Sequence, residues 1–600
     1  MHQEININDD SKMMRVYSDM MTDPPWVFVG STISLFSPTS VPNGNEISGA
    51  VSSWLINKNE ERIGSDFISN TRNLLSQVLF EHLFERSPNT DKVKTSINSF
   101  LKDAPANALH ESLIQALSNG IIAGIVTTNY DLCFEHTNDF YKQNIKIIVN
   151  ESDAIHYSAG DKIIFKIHGT CNNDMGEAIH CTLKDEHKMQ NWKRDLLSKI
   201  FCNSSILFTG YSGYDFEICS EIAEFHDVRK VYWNDKKQYE ELSNNAKEII
   251  ERFNGAFLHG DMVSVIFSVC KQLYKAQTIV WFETDSRMCE LKAKLESAFD
   301  NEELSRWLLF LLNACGYAKA VYCIATKQIK VKTASNGVIS QLYEQLAAAR
   351  YKMGLYKSAS WYYFLAAYKC SANKARMIGL LIEMIETYKT GYFLGKAIVL
   401  LRICQSLLTK HQSELKTEEL KFLKARLGYR KNELGARLSK VNLGIITLSI
   451  LTFIKYEEYE ENEEIQEALA EQGDWITNYN DRITHARGLA NVSDYYLICE
   501  KMKDMGCKFE YFYDFRRYAE RRYSEFGRAS IDTSMHEKML EIIKQEQDYG
   551  IYPESWKLKR FLCKIGLLAP EKKWREDFRK CEYSFYGRIM LKKELFTYTI

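Results

Sequence analysis

Three short runs of the chain end in side chains able to bind, orient and deprotonate a small ligand. The apolar, β-branched run from Ile121 to Val126 gives way to Thr127-Thr128-Asn129-Tyr130-Asp131. A second run, Lys162 to Ile167, ends in His168-Gly169-Thr170. A third, Ser205 to Thr209, ends in Gly210-Tyr211-Ser212-Gly213, with Asp215 two residues on. Runs of this kind are how buried parallel strands read, and their ends mark the carboxyl edge of a sheet. Ligands of open α/β sheets bind at that edge, so an amide, a carboxylate, an imidazole and a Gly/Ser turn gathered there predict an active site.

The elements around these runs fit the same plan. Residues 1–24 read as a loose leader before Pro24-Pro25. Trp26 to Val29 then reads as a buried strand entering Gly30-Ser31-Thr32-Ile33-Ser34, with a helix expected from Glu46 to Leu55. Strand, small-residue turn and helix can bring backbone N–H groups to a pyrophosphate, although the same residues also fit a plain connecting loop. Helices are expected between Thr71 and Leu101, with a break near Pro88, and then over His110–Ser118, Asp185–Ile200 and Ile218–Phe225. Strands are expected over Ile147–Tyr157, Asp161–Ile167 and Lys230–Trp233, the last ending at Asn234-Asp235. Alternating strands and helices up to about Tyr274 predict a doubly wound α/β domain with a parallel sheet.

At 600 residues the chain is too long for one ordinary core. Its 77 basic and 78 acidic residues cancel, so no global charge points to nucleic acid. The polar start, Met1-His2-Gln3-Glu4, has no signal-peptide pattern, and the longest apolar stretch, Leu443 to Ile454, is too short to span a bilayer. A soluble, cytoplasmic protein with no membrane contact is expected. Fifteen cysteines are scattered without the two-residue spacing of zinc or redox motifs, so packing roles are expected and no metal.

No proline occurs between Pro105 and Pro553, and helical periodicity dominates from about Asp285. A large all-α domain is therefore expected over 281–600, after an α/β domain over 25–280. Within it Leu346-Ala347, Gly354, Tyr356, Ala359, Tyr363 and Ala366 resemble one tetratricopeptide-like helical hairpin, and a generic helical bundle is the alternative. Glu457 to Glu471 reads as a solvated acidic run. Arg516, Arg517, Arg521 and Arg522 interleave with Tyr513, Phe515, Tyr518 and Tyr523, which suits either nucleic-acid contact or, preferably, an amphipathic helix with aromatics inside and arginines outside.

Over about residues 24–275 the chain resembles the divergent microbial branch of the sirtuin-like NAD-binding fold, which is Rossmann-type. Thr127 to Asp131 is similar to the family's Thr-Gln-Asn-Ile-Asp segment, Lys166 to Gly169 to its His-Gly, and Phe208 to Ser212 with Asp215 to its Gly-Tyr-Ser-Leu-x-Asp signature. The resemblance implies that NAD, as substrate, is held by Gly30, Ser31, Thr32, Ser34, Thr128, Gly210, Ser212, Asp215 and Asn234. It further implies that Asn129 positions a water or ribose hydroxyl, that Asp131 holds the nicotinamide amide, and that His168 is the general base or the acceptor of a ribose hydroxyl. His259-Gly260-Asp261 is a rival His-Gly that follows the motif order less well.

Departures from the family shape the expected activity. Thr32 stands where the second glycine of the phosphate turn belongs, and Val41-Pro42-Asn43-Gly44 replaces the usual Gly-Ile-Pro-Asp-Phe-Arg. Only Cys171 and Cys181 lie near the His-Gly, too few to close a structural zinc site, which argues against protein deacylation. The expected activity is NAD glycohydrolase, cleaving the nicotinamide–ribose bond to give ADP-ribose or its cyclic form. With its helical region, the chain resembles antiphage effectors that deplete NAD under control of their own assembly, a regulatory partner or a phage-derived trigger. The alternatives are an NAD-dependent deacylase, an ADP-ribosyltransferase, or a nucleotide-sensing scaffold without turnover.

Overall fold

The computed structural model describes residues 3–63, 71–72, 75, 78–171, 179–182, 189–213, 216–270, 285–330, 335–439, 508–568, 573–584, 587–588 and 591. Asp215, the apolar stretch from Leu443 to Ile454 and the acidic run from Glu457 to Glu471 lie outside them. The chain forms two compact units, one of residues 1–54 and 76–304, the other of residues 55–75 and 305–600.

Eight strands make one sheet in the first unit: β1 (Gln3–Asn6), β2 (Trp26–Val29), β3 (Gly124–Thr127), β4 (Lys146–Ile148), β5 (Ile163–Lys166), β6 (Ser205–Thr209), β7 (Lys230–Asp235) and β8 (Ala256–His259). They lie in the order β1-β8-β7-β6-β2-β3-β5-β4, and every pairing is parallel. Both faces are covered, which is why the strands read as continuous apolar runs. Val27 and Val29 enter a core with the helices Asp10–Thr22, Ala108–Ser118 and Met262–Val269, while Trp26 and Phe28 enter the opposite core with Asn191–Phe201 and Asn244–Arg252. This is the expected doubly wound, Rossmann-like α/β architecture.

The register brings the strand ends level. Val29 pairs with both Thr127 and Thr209, Thr127 with Lys166, and Thr209 with Asn234. The segments after β2, β3, β5, β6 and β7 therefore leave the sheet along one edge. From β2 the order runs to β3, β5 and β4 on one side and to β6, β7 and β8 on the other, so β2 and β6 flank the switch point where such sheets bind ligands.

Several local expectations are corrected. Residues 1–24 are not a loose leader: β1 pairs with β8 in register Gln3↔Ala256, and the helix Asp10–Thr22 buries Met13, Val16 and Met20. Strand β8 went unread beside the turn at Asn254-Gly255. The strand expected over Ile147–Tyr157 stops at Ile148, because the Asn150 side chain accepts the Asp153 N–H at 3.0 Å and starts the short helix Glu151–Ile155. The helix Gly44–Lys58 starts where Asn43 and Glu46 exchange side-chain-to-backbone bonds of 3.1 and 3.0 Å.

The described residues of 305–600 contain helices and no strand. The helices Asn336–Lys352 and Tyr356–Lys369 form the hairpin read from the small residues: Leu346, Ala347, Ala359, Tyr363 and Ala366 are buried. Gly354 turns between them at φ +79, and a Cβ there would lie 2.7 Å from Cys581 Sγ. In the helix Lys508–Phe526, Phe515 and Tyr518 are buried as expected of an amphipathic helix, but Arg516 is buried with them. Its Nε donates to Glu554 at 2.7 Å and its Nη1 to Glu520 at 2.8 Å. No described helix is long and apolar enough to cross a membrane.

The Arg516–Glu554 pair gives a stability test. Burial would raise Glu554, but the charges of Arg516 and Lys557 bring it down to about 2. A carboxylate lowered on folding stabilises the native state above its ordinary range near 4.5 and loses that contribution as the pH falls toward 2. Arg516→Met should lower the urea midpoint at neutral pH by the equivalent of about 3–5 kcal/mol, and Arg516→Met with Glu554→Leu should recover most of the loss.

Candidate active site

The turn after β2 is shaped by close backbone approach. A Cβ on Gly30 would meet Gly210 O at 2.4 Å and Tyr211 Cα at 2.7 Å, so the β2 and β6 exits touch only because residue 30 is glycine. Gly210 itself sits at φ +62. Residues Ser31–Leu35 form one 3-10 turn rather than leading straight into a helix. Its Thr32 N–H donates to Gly210 O at 3.3 Å and its Ile33 N–H to Gly30 O at 3.4 Å, so two amides expected to meet a phosphate serve the turn instead.

That turn delivers Ser34 to the end of β3. The Ser34 hydroxyl donates to Asp131 Oδ2 at 2.8 Å and accepts from Asn129 Nδ2 at 3.1 Å. Asn129 is fixed from its other end, its N–H donating at 3.1 Å to Thr127 Oγ1, which donates to Val29 O at 3.0 Å. Asp131 Oδ1 accepts the Cys133 N–H at 3.1 Å, at the start of the helix Cys133–Phe140. Ser34, Asn129 and Asp131 are thus one hydrogen-bonded line, all buried. Asn129 Oδ1 is buried with no hydrogen-bond partner among the described residues.

His168 follows β5. Its ring lies between Tyr130, with centroids 6.3 Å apart, and His180 at 6.4 Å, both nearly parallel to it. The Tyr130 hydroxyl donates to His180 O, and His180 N–H donates to His168 O at 2.9 Å. Tyr130 was visible inside the Thr127–Asp131 segment; nothing in the sequence marked His180.

Lys166 is the largest omission of the sequence reading. Its side chain is wholly buried, and its Nζ donates to Glu135 Oε1 at 2.7 Å, to Thr170 Oγ1 at 3.2 Å, to Tyr130 O at 3.3 Å and to Asp131 O. A lysine inside an otherwise apolar strand was the available signal. Burial would raise Asp131, but the positive charge of His110 and Lys166 and the Ser34 and Cys133 hydrogen bonds bring it below its ordinary range. Burial also lowers His110 to about 4, so at neutral pH that ring is uncharged and Lys166 is the cation that keeps Asp131 ionised.

His110, Asp131 and Cys133 each bring a ligand atom within 4.8 Å of the others. Those groups already serve the protein: His110 Nδ1 meets Asn107 Oδ1 at 2.9 Å, and the Cys133 thiol, raised well above its usual range chiefly by burial, donates to Ala104 O and Pro105 O at 3.6 Å. Asn107 also donates to Ile33 O at 2.8 Å and Phe36 O at 3.2 Å, tying this cluster to the turn that carries Ser34.

These groups border a cavity of about 960 Å³. Ser31, Thr32, Ser34, Thr128, Asn129, Asp131, His168, Gly210 and Ser212 line it, as does Asn234; Gly30 lies just behind its wall, and Asp215 is outside the described residues. Asn234 contributes little beyond its position: its Oδ1 accepts from Thr209, and its Nδ2 donates to Leu258 O and Gly260 O at 3.0 Å each. The rival His259 is not among the lining residues, and its Nε2 meets Lys236 O at 3.2 Å. A second part of the wall is apolar, including Phe80, Ile97, Phe100 and Leu101.

Residues 123–254 match the SIR2-like domain family. The chain carries a sirtuin-like domain. The match spans β3 to β7, with Asn129, Asp131, His168 and Gly210, and starts after the Gly30 turn. No curated protein matches the chain. SIR2-like domains bind NAD, so NAD-related chemistry is what this sheet edge supports. The cavity is large enough for such a ligand, and the buried Asn129 Oδ1 on its wall is an acceptor that a water or hydroxyl can satisfy.

The Ser34 bridge can be tested without turnover. Ser34→Ala leaves Asp131 Oδ2 and Asn129 Nδ2 each short of a buried partner, a cost of about 1–3 kcal/mol. It also removes a bond that lowers Asp131, so the Asp131 titration moves up. Because the native carboxylate is stabilised above its ordinary range, the deficit against wild type should be largest near neutrality and shrink as the pH falls below about 4. Urea midpoints measured across that range check both the size and the sign.

Proposed function

We propose that the chain is an NAD glycohydrolase that cleaves the nicotinamide–ribose bond. The observation that carries this reading is the Asn129–Ser34–Asp131 line beside His168 on one cavity, at the switch point of a sheet that matches the SIR2-like family. Breaking an N-glycosidic bond passes through an oxocarbenium-like state, so the site must orient the base, tolerate positive charge on the ribose and admit water. Asp131, kept anionic beside Lys166, is assigned to the nicotinamide amide and to the developing cation. Asn129, held through Nδ2 and backbone, offers Oδ1 to the attacking water or a ribose hydroxyl. His168, beside Tyr130 and His180, is the general base.

The α/β unit, residues 1–54 and 76–304 rather than the expected 25–280, is taken as catalytic, and the helical unit, residues 55–75 and 305–600, as the part that controls it. An NAD hydrolase that ran unchecked would be toxic to its own cell. Depletion of cytoplasmic NAD on a phage-derived trigger, with the helical domain assembling the protein or reading a partner, is the biological role this reading favours. Deacylation and ADP-ribosyl transfer remain the rival chemistries, separated from hydrolysis by whether modified protein or free ADP-ribose appears.

Intact protein should convert NAD to nicotinamide and ADP-ribose or its cyclic form, in vitro or in phage-challenged cells. Asn129→Ala and His168→Ala should each reduce turnover by about a hundredfold or more at a temperature where the variant is still folded. Steady NAD under every condition would sink the hydrolase and favour a nucleotide-binding scaffold. Thr32→Gly should tighten NAD binding if the threonine crowds the phosphates; unchanged affinity by calorimetry would remove that obstacle from the account.

A further inference from the structure

Among the described residues of the helical unit, several large apolar side chains are exposed. In the helix Tyr356–Lys369, the buried Ala359, Tyr363 and Ala366 face the neighbouring helices, while Trp361, Phe364 and Tyr368 are 58%, 44% and 66% exposed. Their three- and four-residue spacing puts them in one stripe. The helix Leu394–Lys410 repeats the arrangement with Val399 and Ile403, 59% and 46% exposed. The two faces are neighbours at their first turns, since Lys357 Nζ from one and Lys396 Nζ from the other lie 5.9 and 5.7 Å from the centre of the same Phe393 ring. Large apolar groups gathered on a surface mark an interaction site more often than singly scattered ones do.

Charge narrows the occupant. Neither helix contains an aspartate or glutamate, whereas they carry Lys357, Lys369, Lys396, Arg402 and Lys410. In a chain with 77 basic and 78 acidic residues this is a local excess, and it borders the apolar stripe. Glu582 reaches the first turn, where its carboxylate accepts the Ser358 N–H at 3.0 Å and the Ser358 hydroxyl at 3.4 Å. Trp361 and Phe364 stack on one another, with centroids 5.6 Å apart and planes 24° from parallel, so ring faces that a nucleic-acid base would use are partly taken. Val399 and Ile403 add aliphatic surface that bases do not need. We propose that the paired faces of the helices Tyr356–Lys369 and Leu394–Lys410 dock an acidic, amphipathic helical segment of a partner protein. Its apolar side seats on the Trp361/Tyr368 stripe, and its carboxylates meet Lys396 and Arg402.

The test uses the full-length chain and a fluorescein-labelled synthetic helix with glutamates on one face and leucine and phenylalanine on the other. A second peptide has lysine for every glutamate, and labelled oligothymidylate is the third probe. The acidic peptide should bind, more weakly as salt is added. Trp361→Ala with Tyr368→Ala should weaken it about tenfold or more. Lys396→Glu with Arg402→Glu, both at exposed positions, should transfer the preference to the basic peptide in a variant whose circular dichroism matches wild type. Failure of the acidic peptide to bind overturns the proposal. So do equal binding of both peptides, preference for oligothymidylate, or light scattering in which these substitutions turn a dimer into monomers, because the occupant is then a second copy of the chain.

Discussion

A single buried ammonium holds the active edge together. Lys166 lies at the last position of β5, inside the sheet, and reaches across to the loop that follows β3. Its bonds to Tyr130 O and Asp131 O, to Glu135 and to Thr170 join three pieces of chain to β5. A charge removed from water has a large desolvation cost unless it is fully paired, so the loop, the helix bearing Glu135 and the turn after His168 must all be in place at once. Asn129 and Asp131 precede that helix, and His168 follows the strand that carries Lys166. Their placement is therefore a consequence of satisfying one cation.

The same cation divides the electrical roles of the site. His110 and Cys133 surround Asp131 closely, but burial keeps the imidazole and the thiol uncharged near neutrality. Asp131 consequently works as an anion among neutral groups, balanced from behind by Lys166 and in front by the Ser34 hydroxyl. An anion held in this way faces the cavity without needing a counter-ion from solvent, which suits a reaction whose developing charge is positive. Asn107 joins the arrangement to the turn after β2, because the side chain that caps the helix Ala108–Ser118 also grips the carbonyls of Ile33 and Phe36.

The motif residues were legible because strand ends have a simple signature, an apolar run stopped by Asn, Asp, His or Gly. Parallel register then brings such stops to one edge without further information, and β2, β3, β5, β6 and β7 were all found this way. What was missed has a physical reason in each case. Gln3–Asn6 is an edge strand with only Ile5 buried, so it lacks the apolar run that reveals a central strand. Lys166 reads as polar, yet its partner Glu135 is 31 residues away in sequence and carries no pattern linking the two. Asn234 lines the cavity while its side chain bonds Thr209, Leu258 O and Gly260 O, since a strand-end amide can serve the sheet as easily as a ligand.

The helical unit shows the complementary limit. Small residues at Ala347, Ala359 and Ala366 announced a close helical hairpin because tight approach requires them, and the hairpin is there. Arg516 was expected outside with the other arginines, but helical spacing does not say whether a buried acid waits on another helix; Glu554 does, 38 residues on. The exposed aromatics escaped notice for the opposite reason. Trp361 and Tyr368 look like core residues in a sequence, and only the packing of Tyr363 and Ala366 on the other side of the helix shows that they face water. Periodicity identifies a helix with two apolar sides; it takes the neighbouring helices to decide which side is the core and which is left for something else to cover.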